Sequence, residues 1–581
     1  MKIPYGKQVI TKADINEVIE TLTAELITQG PKIEEFETIV ANYHKAKHAI
    51  VFSNGTTALY AAYHALGTKK GDEIIAPAMT FVASSNGGVY CGAIPKLVDI
   101  TLNTYCIDIN KLEEAITNKT KVICAVSMAG YPVNLSKIQK IANKHNLKII
   151  HDAAHAIGSR RNNSFNIENA DFTMFSFHPV KHITTGEGGM LLTNNDELAS
   201  KVRSFRTHGI SKVKEEITIY DGPWSYEMLG LGHNFRMCDI QCALGISQFR
   251  HIEENLRNRN LIAKRYNEAF KNTEELIIPP QFDLTNINEN TDVKTAENLH
   301  SYHLYPVRLK DSKKRLALYK FLKEHNIFTQ IHYIPVHWHK FYRDEFGYKK
   351  EDFSVANEYY SGELSLPMYH SLTKEEQDYV IEKVKEFLRR WNNMGLVFRN
   401  ILKVDKNTQD LVREWRNSDN IRNYMYSENI ISEESHFNWI KALEDADKKE
   451  VYIILYDSLP IGLISVGDID FENKRCEWAF YIYDTSLRGK GIGKKLEVSM
   501  IDYIFNELGM GKLNCTVLET NPSVIEMHKK FGFQVEGIRR GDIIKNGKRI
   551  DVYELGMLKE EWLSNRVNID ISSVDLALFE K

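Results

Sequence analysis

The stretch that decides the fold is FSFHPVKHITTGEGGMLLTNN, residues Phe175–Asn195. It overlaps the end of DFTMFSF, which has the continuous apolar character of a buried strand, and it closes with GGMLLTN, which predicts a second strand. Lys181 lies between the two, five residues after Ser176 and shortly before a glycine-rich turn. Lysine is usually a solvated surface cation. Its position between two buried strands therefore indicates a chemical role.

The surrounding sequence repeats this alternation of short apolar strands with helical segments. Over residues 1–250, strands are predicted in HAIVFS, DEIIAPA, IPKLVDI, KVICAVS and LKIIHDA. The alternation predicts a layered α/β domain with a mostly parallel sheet. Residues 251–392 are predicted as a smaller α+β domain that ends in the amphipathic segment DYVIEKVKEFLRRW. The pattern then restarts, which predicts a further α/β domain over residues 393–565 and a C-terminal tail over residues 566–581.

Composition excludes several classes of function. The chain has 581 residues, too many for one core, and its net charge of −3 favours neither nucleic acid nor an anionic membrane surface. No apolar run approaches the ~20 residues of a membrane helix, and the N-terminus carries no apolar signal segment. Seven cysteines without a C-x-x-C pair indicate reduced thiols, so we expect a cytoplasmic protein. No metal site is expected, because His and Cys residues lack ligand spacing.

Lysine can form a Schiff base with an aldehyde, and the residues around Lys181 indicate which aldehyde. Pyridoxal phosphate chemistry requires a lysine, a carboxylate for the pyridine nitrogen and a phosphate cradle. Asp152 ends the predicted strand in LKIIHDA, and SNGTTAL is a strand-to-helix turn whose N–H groups suit a phosphate. Each residue alone has an ordinary structural explanation, but their joint order favours this cofactor. The predicted cofactor contacts are Gly55, Thr56, Thr57, Phe81 over the ring, Asp152 and Ser176.

These motifs carry a family resemblance. SNGTTAL, HDAAHAIGS, FSFHPVKHITTGEGG, HNFRMCDIQCALG and QIHYIPVHWHKFY resemble the DegT/DnrJ/EryC1/StrS sugar aminotransferases, over residues 1–390. The resemblance implies a fold-type I pyridoxal enzyme, with a large α/β/α domain and a small α+β domain. It makes Lys181 the Schiff-base lysine and Asp152 the pyridine partner, with Thr57 and Ser176 on the phosphate and His155 near the ring. It also implies a homodimer with shared sites, in which Asn234 reaches the cofactor phosphate of the neighbouring subunit.

Within that family the resemblance is to aminotransferases of the pseudaminic acid pathway. It implies a UDP-linked 4-keto-6-deoxy-N-acetylhexosamine as the acceptor and L-glutamate as the amino donor. Some relatives carry histidine in place of the lysine and dehydrate their substrate, so Lys181 favours transamination. The residues expected on the nucleotide-sugar side are Tyr5, Gln29, Gln330, His332 and Tyr333.

The second half carries another anion-binding turn. RGKGIG, residues Arg488, Gly489, Lys490, Gly491, Ile492 and Gly493, follows a predicted strand and opens an amphipathic helix. Together with Asn521 and a later G-F pair, this turn makes residues 396–560 resemble the GNAT acetyltransferases. In that family the turn is the loop that binds the pyrophosphate of acetyl-CoA. His528 stands where many members have the general-acid tyrosine, so it is either that acid or a structural residue. Glu477, on the strand before the loop, is our candidate base, or else a surface carboxylate.

The start of this domain also resembles an N-acetyltransferase of the pseudaminic acid pathway. Trp415, Arg416 and Asn417 then become candidates for binding the nucleotide-sugar, the alternative being an amphipathic helix with a core tryptophan. Together the two halves predict a bifunctional enzyme that replaces a C4 ketone with an amine and then acetylates that amine. Two rivals stay open: the sugar is another 4-amino-6-deoxy sugar, such as a dTDP-linked one, or the GNAT domain is a binding or oligomerisation module.

Overall fold

A computed structural model describes residues 2–282, 287–392, 396–456, 459–487, 491–566 and 578–580. The chain divides into two compact units, residues 1–385 and 386–581. Within the described ranges, no helix is both long enough and apolar enough to cross a bilayer. The domain boundaries expected at residues 250, 392 and 565 stay predictions.

The described part of the first unit contains twelve strands and most of the described helices. The strands are β1 (His48–Phe52), β2 (Glu73–Pro77), β3 (Ile94–Val98), β4 (Thr120–Val126), β5 (Lys148–Asp152), β6 (Phe172–Ser176), β7 (Gly189–Thr193), β8 (Ile210–Ser211), β9 (Glu227–Met228), β10 (Leu276–Ile277), β11 (Tyr305–Leu309) and β12 (Glu363–Leu366). The helices are α1 (Lys12–Leu22), α2 (Pro31–His44), α3 (Gly55–Ala65), α4 (Ala83–Tyr90), α5 (Ile109–Leu112), α6 (Leu135–His145), α7 (Asp196–Arg206), α8 (Asp239–Phe249), α9 (Ile252–Phe270), α10 (Lys314–Glu324), α11 (Lys340–Phe346), α12 (Ser354–Gly362) and α13 (Lys374–Asn392), which contains the boundary between the units.

The main sheet of this unit has seven strands in the order β1-β7-β6-β5-β4-β2-β3. β3, β2, β4, β5 and β6 run parallel, and β7 is antiparallel to both of its neighbours. The strands are almost entirely buried, as expected for a parallel sheet covered by helices on both faces. The predicted α/β layered fold is therefore confirmed. A second sheet, β10-β11-β12, is antiparallel.

The parallel strands bring the key side chains to one edge of the sheet. Asp152 and Ser176 are the last residues of the neighbouring strands β5 and β6, so they meet at the carboxyl edge. Residues 177–188 connect β6 to β7, and Lys181 lies in that connection. The connection is closed by a hydrogen bond from the Phe177 N–H to the Gly188 carbonyl, at 2.9 Å. This closure holds Lys181 directly above the strand ends.

The second unit is built on one eight-stranded sheet, in the order β18-β19-β17-β16-β15-β14-β13-β20. Its strands are β13 (Val397–Asn400), β14 (Glu450–Tyr456), β15 (Leu459–Asp470), β16 (Arg475–Ile482), β17 (Lys512–Leu518), β18 (Gln534–Lys545), β19 (Lys548–Leu558) and β20 (Leu578–Glu580). Its helices are α14 (Lys406–Asn417), α15 (Asp419–Arg422), α16 (Glu433–Ala442), α17 (Ile492–Asp502), α18 (Pro522–Phe531) and α19 (Lys559–Arg566).

Two of the pairings in this sheet are parallel, β16 with β17 and β13 with β20. The β16–β17 ladder has only three residue pairs and ends at Glu477 opposite Asn514. Beyond that point β16 stays paired to β15, and β17 stays paired to β19. The edge of β16 that faces β17 is therefore without a ladder partner from residue 478 onwards, among the described residues.

Candidate functional site

A cavity of about 540 Å³ opens above the carboxyl edge of the seven-stranded sheet. Eleven of the residues expected to touch cofactor or substrate line it. They are Tyr5, Gly55, Thr56, Phe81, Asp152, His155, Ser176, Lys181, Gln330, His332 and Tyr333. The cavity mixes apolar walls with a few converging polar groups, as small-molecule sites do.

Lys181 lies among these residues and is partly buried. Burial lowers the pKa of its amine to about 8, although the nearby carboxylate of Asp152 acts in the opposite direction. Its Nζ lies 3.4 Å from Nε2 of His303, a residue that sequence reasoning missed. Burial also lowers the pKa of His303 well below its ordinary value, so that imidazole is neutral and can accept a hydrogen bond. Lys181 therefore has a larger neutral fraction near neutral pH than an exposed lysine has, and a nucleophilic amine requires the neutral form.

Asp152 presents a buried carboxylate to the cavity. Its Oδ2 accepts a hydrogen bond from the Ser84 hydroxyl at 2.6 Å, and its Oδ1 accepts one from the Ala154 N–H at 3.1 Å. Burial raises the pKa of this carboxyl, while those hydrogen bonds and Lys181 oppose the rise. Such a group is suited to a cationic partner in the cavity, because a neighbouring positive charge would favour its ionised form.

The N-terminus of α3 forms a cradle beside Ser176. A Cβ added at Gly55 would lie 3.4 Å from the Cβ of Ser176, so glycine lets the helix start approach the strand end closely. At Gly189 an added Cβ would lie 2.5 Å from the backbone of Asn54, which excludes a side chain there. Thr57 does not line the cavity, because its hydroxyl donates to the Asn54 carbonyl at 2.9 Å and completes a capping box.

The residues expected on the sugar side converge from separate segments. The His155 Nε2 lies 3.0 Å from the Tyr333 hydroxyl, and the Tyr333 ring lies 5.6 Å from that of Phe81. The Tyr5 ring lies 5.6 Å from the ring of His332. Behind His332, on β12, are Ser365 and Glu363, two further residues that sequence reasoning missed.

Two predicted residues lie away from this cavity. Gln29 lines a separate cavity of about 410 Å³ together with Arg203, Arg206 and Arg236. Asn234 forms an isolated backbone bridge with Thr207 and lines neither cavity. A single chain therefore does not bring Gln29 or Asn234 to Lys181.

In the second unit, the start of α17 carries the described part of the predicted acetyl-CoA loop. Gly491 has φ +77° and caps the helix, a conformation that favours glycine. Ile492 is buried in the core, and Gly493 follows in the first turn of the helix. Arg488, Gly489 and Lys490 lie outside the described residues. Asn521 precedes α18 and its side chain accepts a hydrogen bond from the Ser523 hydroxyl at 3.2 Å.

The candidate acid and base of this unit approach a common thiol. Burial raises the pKa of the Cys515 thiol, the hydrogen bond and charge of His528 oppose that rise, and the nearby Glu497 and Glu477 add smaller increases. Glu477 itself accepts a hydrogen bond from the Thr516 hydroxyl at 2.8 Å. The two candidates thus lie where the β16–β17 ladder ends and the free edge of β16 begins.

His528 is itself half of a buried ion pair. Its Nδ1 lies 2.8 Å from Oε1 of Glu497, and the two side chains are 4% and 0% exposed. Burial acts to lower the pKa of His528, but Glu497 and Cys515 outweigh it and raise the pKa to about 10. His528 is therefore an imidazolium at neutral pH. Sequence reasoning missed Glu497, although a glutamate between the buried residues Leu496 and Val498 was a usable signal.

The predicted sugar contacts of this unit lie at the end of α14. Trp415 is buried, and its ring stacks against Tyr483 at 5.7 Å. The Asn417 side chain accepts from the Ile431 N–H at 2.8 Å and donates to the Ile431 carbonyl at 3.0 Å. Arg416 adjoins them and lowers the pKa of Tyr481, against the larger effect of burial. Trp415 and Asn417 thus have structural contacts, and their predicted contact with a sugar stays a prediction.

Each of the two units matches the model of a known protein family. The model of the DegT/DnrJ/EryC1/StrS aminotransferase family matches residues 8–385, and that of the acetyltransferase (GNAT) domain matches residues 400–553. The UDP-4-amino-4,6-dideoxy-N-acetyl-beta-L-altrosamine transaminase of Campylobacter jejuni is 34% identical over 396 residues, covering 66% of this chain and 99% of that protein.

Two solved structures are similar to the first unit. Helicobacter pylori PseC, an aminotransferase involved in the biosynthesis of pseudoaminic acid, has a TM-score of 0.60 at 30% identity, covering 67% of this chain and 100% of that one. The sugar aminotransferase Spr1654 of Streptococcus pneumoniae, in its PLP form, has a TM-score of 0.60 at 29% identity, covering 67% and 99%.

Proposed function

Because the chain belongs to the DegT/DnrJ/EryC1/StrS aminotransferase family and carries a C-terminal GNAT domain, we propose that it catalyses two consecutive reactions on one sugar. The first unit transfers an amino group from L-glutamate to C4 of a UDP-linked 4-keto-6-deoxy-N-acetylhexosamine. The second unit acetylates the new amine from acetyl-CoA. The product would be an intermediate of pseudaminic acid biosynthesis, as the names of two relatives suggest.

The first unit is a pyridoxal phosphate enzyme by family, and its residues fit that group. Gly55, Thr56 and Ser176 form a close cradle for the phosphate, and the buried Asp152 carboxylate suits a protonated ring nitrogen. Lys181 supplies the amine that holds the aldehyde. When bound, the cofactor supplies an electron sink and carries the amino group between the donor and the sugar.

Lys181 is the residue that moves protons in this step. Its amine has a pKa of about 8, so it can accept the proton from the α-carbon of the amino donor and later return a proton to C4 of the sugar. His303, 3.4 Å from Lys181 Nζ, keeps the amine oriented without adding charge. Phe81 and Tyr333 form an aromatic wall on one side of the cavity.

The second step needs a base for the sugar amine and an acid for the leaving thiolate. In this proposal Glu477 removes the proton from the attacking amine, directly or through water. His528 protonates the sulfur of CoA, because Glu497 keeps its imidazole charged at neutral pH. The free edge of β16 offers backbone groups to the arm of acetyl-CoA.

One observation carries the proposal: a Lys181–Asp152 cavity and a GNAT domain occur in one chain. The test is mass spectrometry of products from the full chain with glutamate, acetyl-CoA and a panel of UDP- and dTDP-linked 4-keto sugars. We expect the acetylated 4-amino sugar from the UDP-linked 4-keto-6-deoxy-N-acetylhexosamine. Turnover confined to dTDP sugars would establish the rival substrate. An amine that is never acetylated would establish a second unit that only binds.

We also propose a homodimer with shared sites. Residues 210–231 carry an exposed apolar segment, in which Trp224 is 71% and Leu231 is 80% exposed. Contiguous apolar surface of this kind marks interaction sites. The segment leads directly to Asn234, which would then enter the partner's cavity. A Trp224→Ser, Leu231→Ser chain should sediment as a monomer and lose transamination, whereas a dimer of unchanged activity would contradict the proposal.

The cysteines indicate the cellular compartment in which the protein works. All seven cysteines are free thiols, and five of them are buried. Free thiols persist in reducing compartments. We therefore propose that the enzyme works in the cytoplasm.

A further inference from the structure

His332 lines the cavity of the first unit and is the outer member of a chain of three polar side chains. Its Nδ1 lies 2.9 Å from the Ser365 hydroxyl, which lies 2.6 Å from Oε1 of Glu363. The backbone N–H of His332 donates to the other carboxyl oxygen, Oε2, at 2.9 Å. Ser365 and Glu363 are both 0% exposed, whereas His332 lines the cavity. The chain therefore connects the buried Glu363 to a ligand-facing imidazole.

The segments that carry this chain are fixed to each other. The backbone of Gln330 pairs with that of Ser365 through hydrogen bonds of 2.8 and 3.3 Å. The Tyr359 hydroxyl donates to the His332 carbonyl at 3.2 Å. His332 consequently has little freedom to leave Ser365. Whether Nδ1 carries a proton therefore depends on whether Ser365 accepts a hydrogen bond from it or donates one to it.

Glu363 has no ion-pair partner within the described part of the chain. The charged and titratable groups that face it come from β11, α10, α12, the segment between α10 and α11, and the loop that contains Tyr105. They are Arg308, Arg315, Tyr359, His332, Tyr333 and Tyr105. Arg308 is directed instead to Glu358, and Arg315 to the Tyr360 carbonyl. Burial raises the pKa of Glu363 to about 8, although the hydrogen bonds from Ser365 and the His332 N–H and the charge of Arg315 act to lower it.

The direction of the hydrogen bonds depends on a single proton. An ionised Glu363 accepts from Ser365, which then accepts from Nδ1–H, so Nε2 presents a lone pair to the cavity. A neutral Glu363 keeps its carbonyl oxygen for the His332 N–H and donates from Oε1 to Ser365. Ser365 then donates to Nδ1, and the neutral imidazole carries its proton on Nε2.

We propose that Glu363 is a neutral acid that acts through Ser365 to hold His332 as an Nε2–H donor towards an oxygen of the sugar. Glu363 and Ser365 are positioning residues for that donor. The inference rests on the proposed function, because it assigns His332 to the sugar in the same cavity. An N–H donor suits a sugar, whose hydroxyl, keto and acetamido groups all present oxygen acceptors.

Substitutions at Glu363 and Ser365 distinguish the two hydrogen-bond directions, the one with ionised Glu363 and the one with neutral Glu363. In Glu363→Gln the amide NH2 donates to Ser365 and the amide oxygen accepts from the His332 N–H, so it imitates a neutral acid. The probe is UDP-N-acetylglucosamine, which cannot be transaminated, with its dissociation constant measured by calorimetry on the pyridoxal phosphate-loaded chain. We expect Glu363→Gln to bind as the natural chain does, and Ser365→Ala and Glu363→Ala to bind about tenfold more weakly.

The pH dependence and a double substitution add two readouts that a structural role would not move. Affinity of the natural chain should fall as the pH rises through about 8, because Glu363 then ionises, and the affinity of Glu363→Gln should fall less. Lys181 is present in both chains, so the difference between the two pH profiles reports Glu363. In a His332→Phe background, Glu363→Ala should have no further effect. Glu351→Gln, an exposed carboxylate shortly before α12, is the control. Equal weakening by Glu363→Gln and Glu363→Ala would overturn the proposal.

An infrared measurement tests the neutral acid without any sugar. The infrared spectrum of the natural chain, after subtraction of the spectrum of Glu363→Gln, should show the carbonyl band of a buried neutral carboxylic acid at neutral pH. The band should disappear at alkaline pH. Its absence at neutral pH would refute the neutral acid. If UDP-N-acetylglucosamine fails to bind even the natural chain, the assignment of His332 to this class of sugar is wrong, and the infrared band still decides whether Glu363 is neutral.

Discussion

The buried pair of Glu497 and His528 makes a quantitative prediction about the second unit. The pKa of His528 is about 10 in the folded chain and about 6.5 in an unfolded one. The raised pKa means that the ion pair stabilises the folded chain, and removing one partner of a buried pair typically costs about 3–5 kcal/mol. Because the folded pKa is the higher one, this stability is complete below about pH 6.5 and is lost as the pH rises towards about 10.

The assay is hydrogen exchange of peptides from β17 and α18 in the full chain, corrected for the intrinsic pH dependence of exchange. Near neutral pH, Glu497→Gln and His528→Gln should each lower the local free energy of unfolding by about 3–5 kcal/mol. The double substitution should cost less than their sum, because its two sites are in contact. The exposed pair of Glu526 and Lys529 on the same helix provides the control, where Glu526→Gln should cost about 0–1 kcal/mol.

The natural chain should lose about 1.36 kcal/mol per pH unit between those two pKa values, and the two single variants should not. Additive single substitutions together with a flat pH profile would show that the two side chains are not coupled, and the reasoning would then be wrong.

Three further predictions concern the first unit. Lys181→Ala should abolish the yellow colour and transamination while acetylation of a supplied 4-amino sugar continues; transamination by that variant would disprove the assignment. Mixing Lys181→Ala with Asn234→Ala chains should restore about a quarter of the sites, because half of the random dimers have one intact site of two; no recovery after confirmed subunit exchange would argue against shared sites. Gly189→Ala should cost about 1–3 kcal/mol by overpacking against Asn54, measured by urea unfolding, whereas Gly467→Ala, which meets no neighbour, should not.

The parts of the fold that depend on local pattern were predictable from the sequence. The apolar runs of the first unit are strands of a mostly parallel sheet, as predicted. Strand ends in such a sheet meet at one edge, so the approach of Asp152 and Ser176 followed from the strand order alone. Lys181 followed from the short connection between β6 and β7. For these residues, position in sequence determines position in space.

Other parts of the site depend on contacts that no local pattern encodes. His303, Glu363 and Glu497 each meet their partners across long sequence separations, and packing alone decides which buried polar group faces which. Thr57 shows a different competition, because the helix cap uses the hydroxyl that the sequence suggested for phosphate. Gln29 does not line the cavity that contains Lys181 of the same chain, so its predicted contact with the sugar would require the cavity of a second chain.

The short strand β20 has a practical consequence for work on the second unit. Residues 578–580 pair with β13, and Phe579 stacks on Tyr503 with ring centroids 4.1 Å apart. Without β20, the outer side of β13 would present unpaired N–H and C=O groups, a template on which another polypeptide can add a strand. An expression fragment that stops at residue 566 would look complete by its helices and yet be prone to self-association. Fragments for crystallisation should therefore retain residues 578–580.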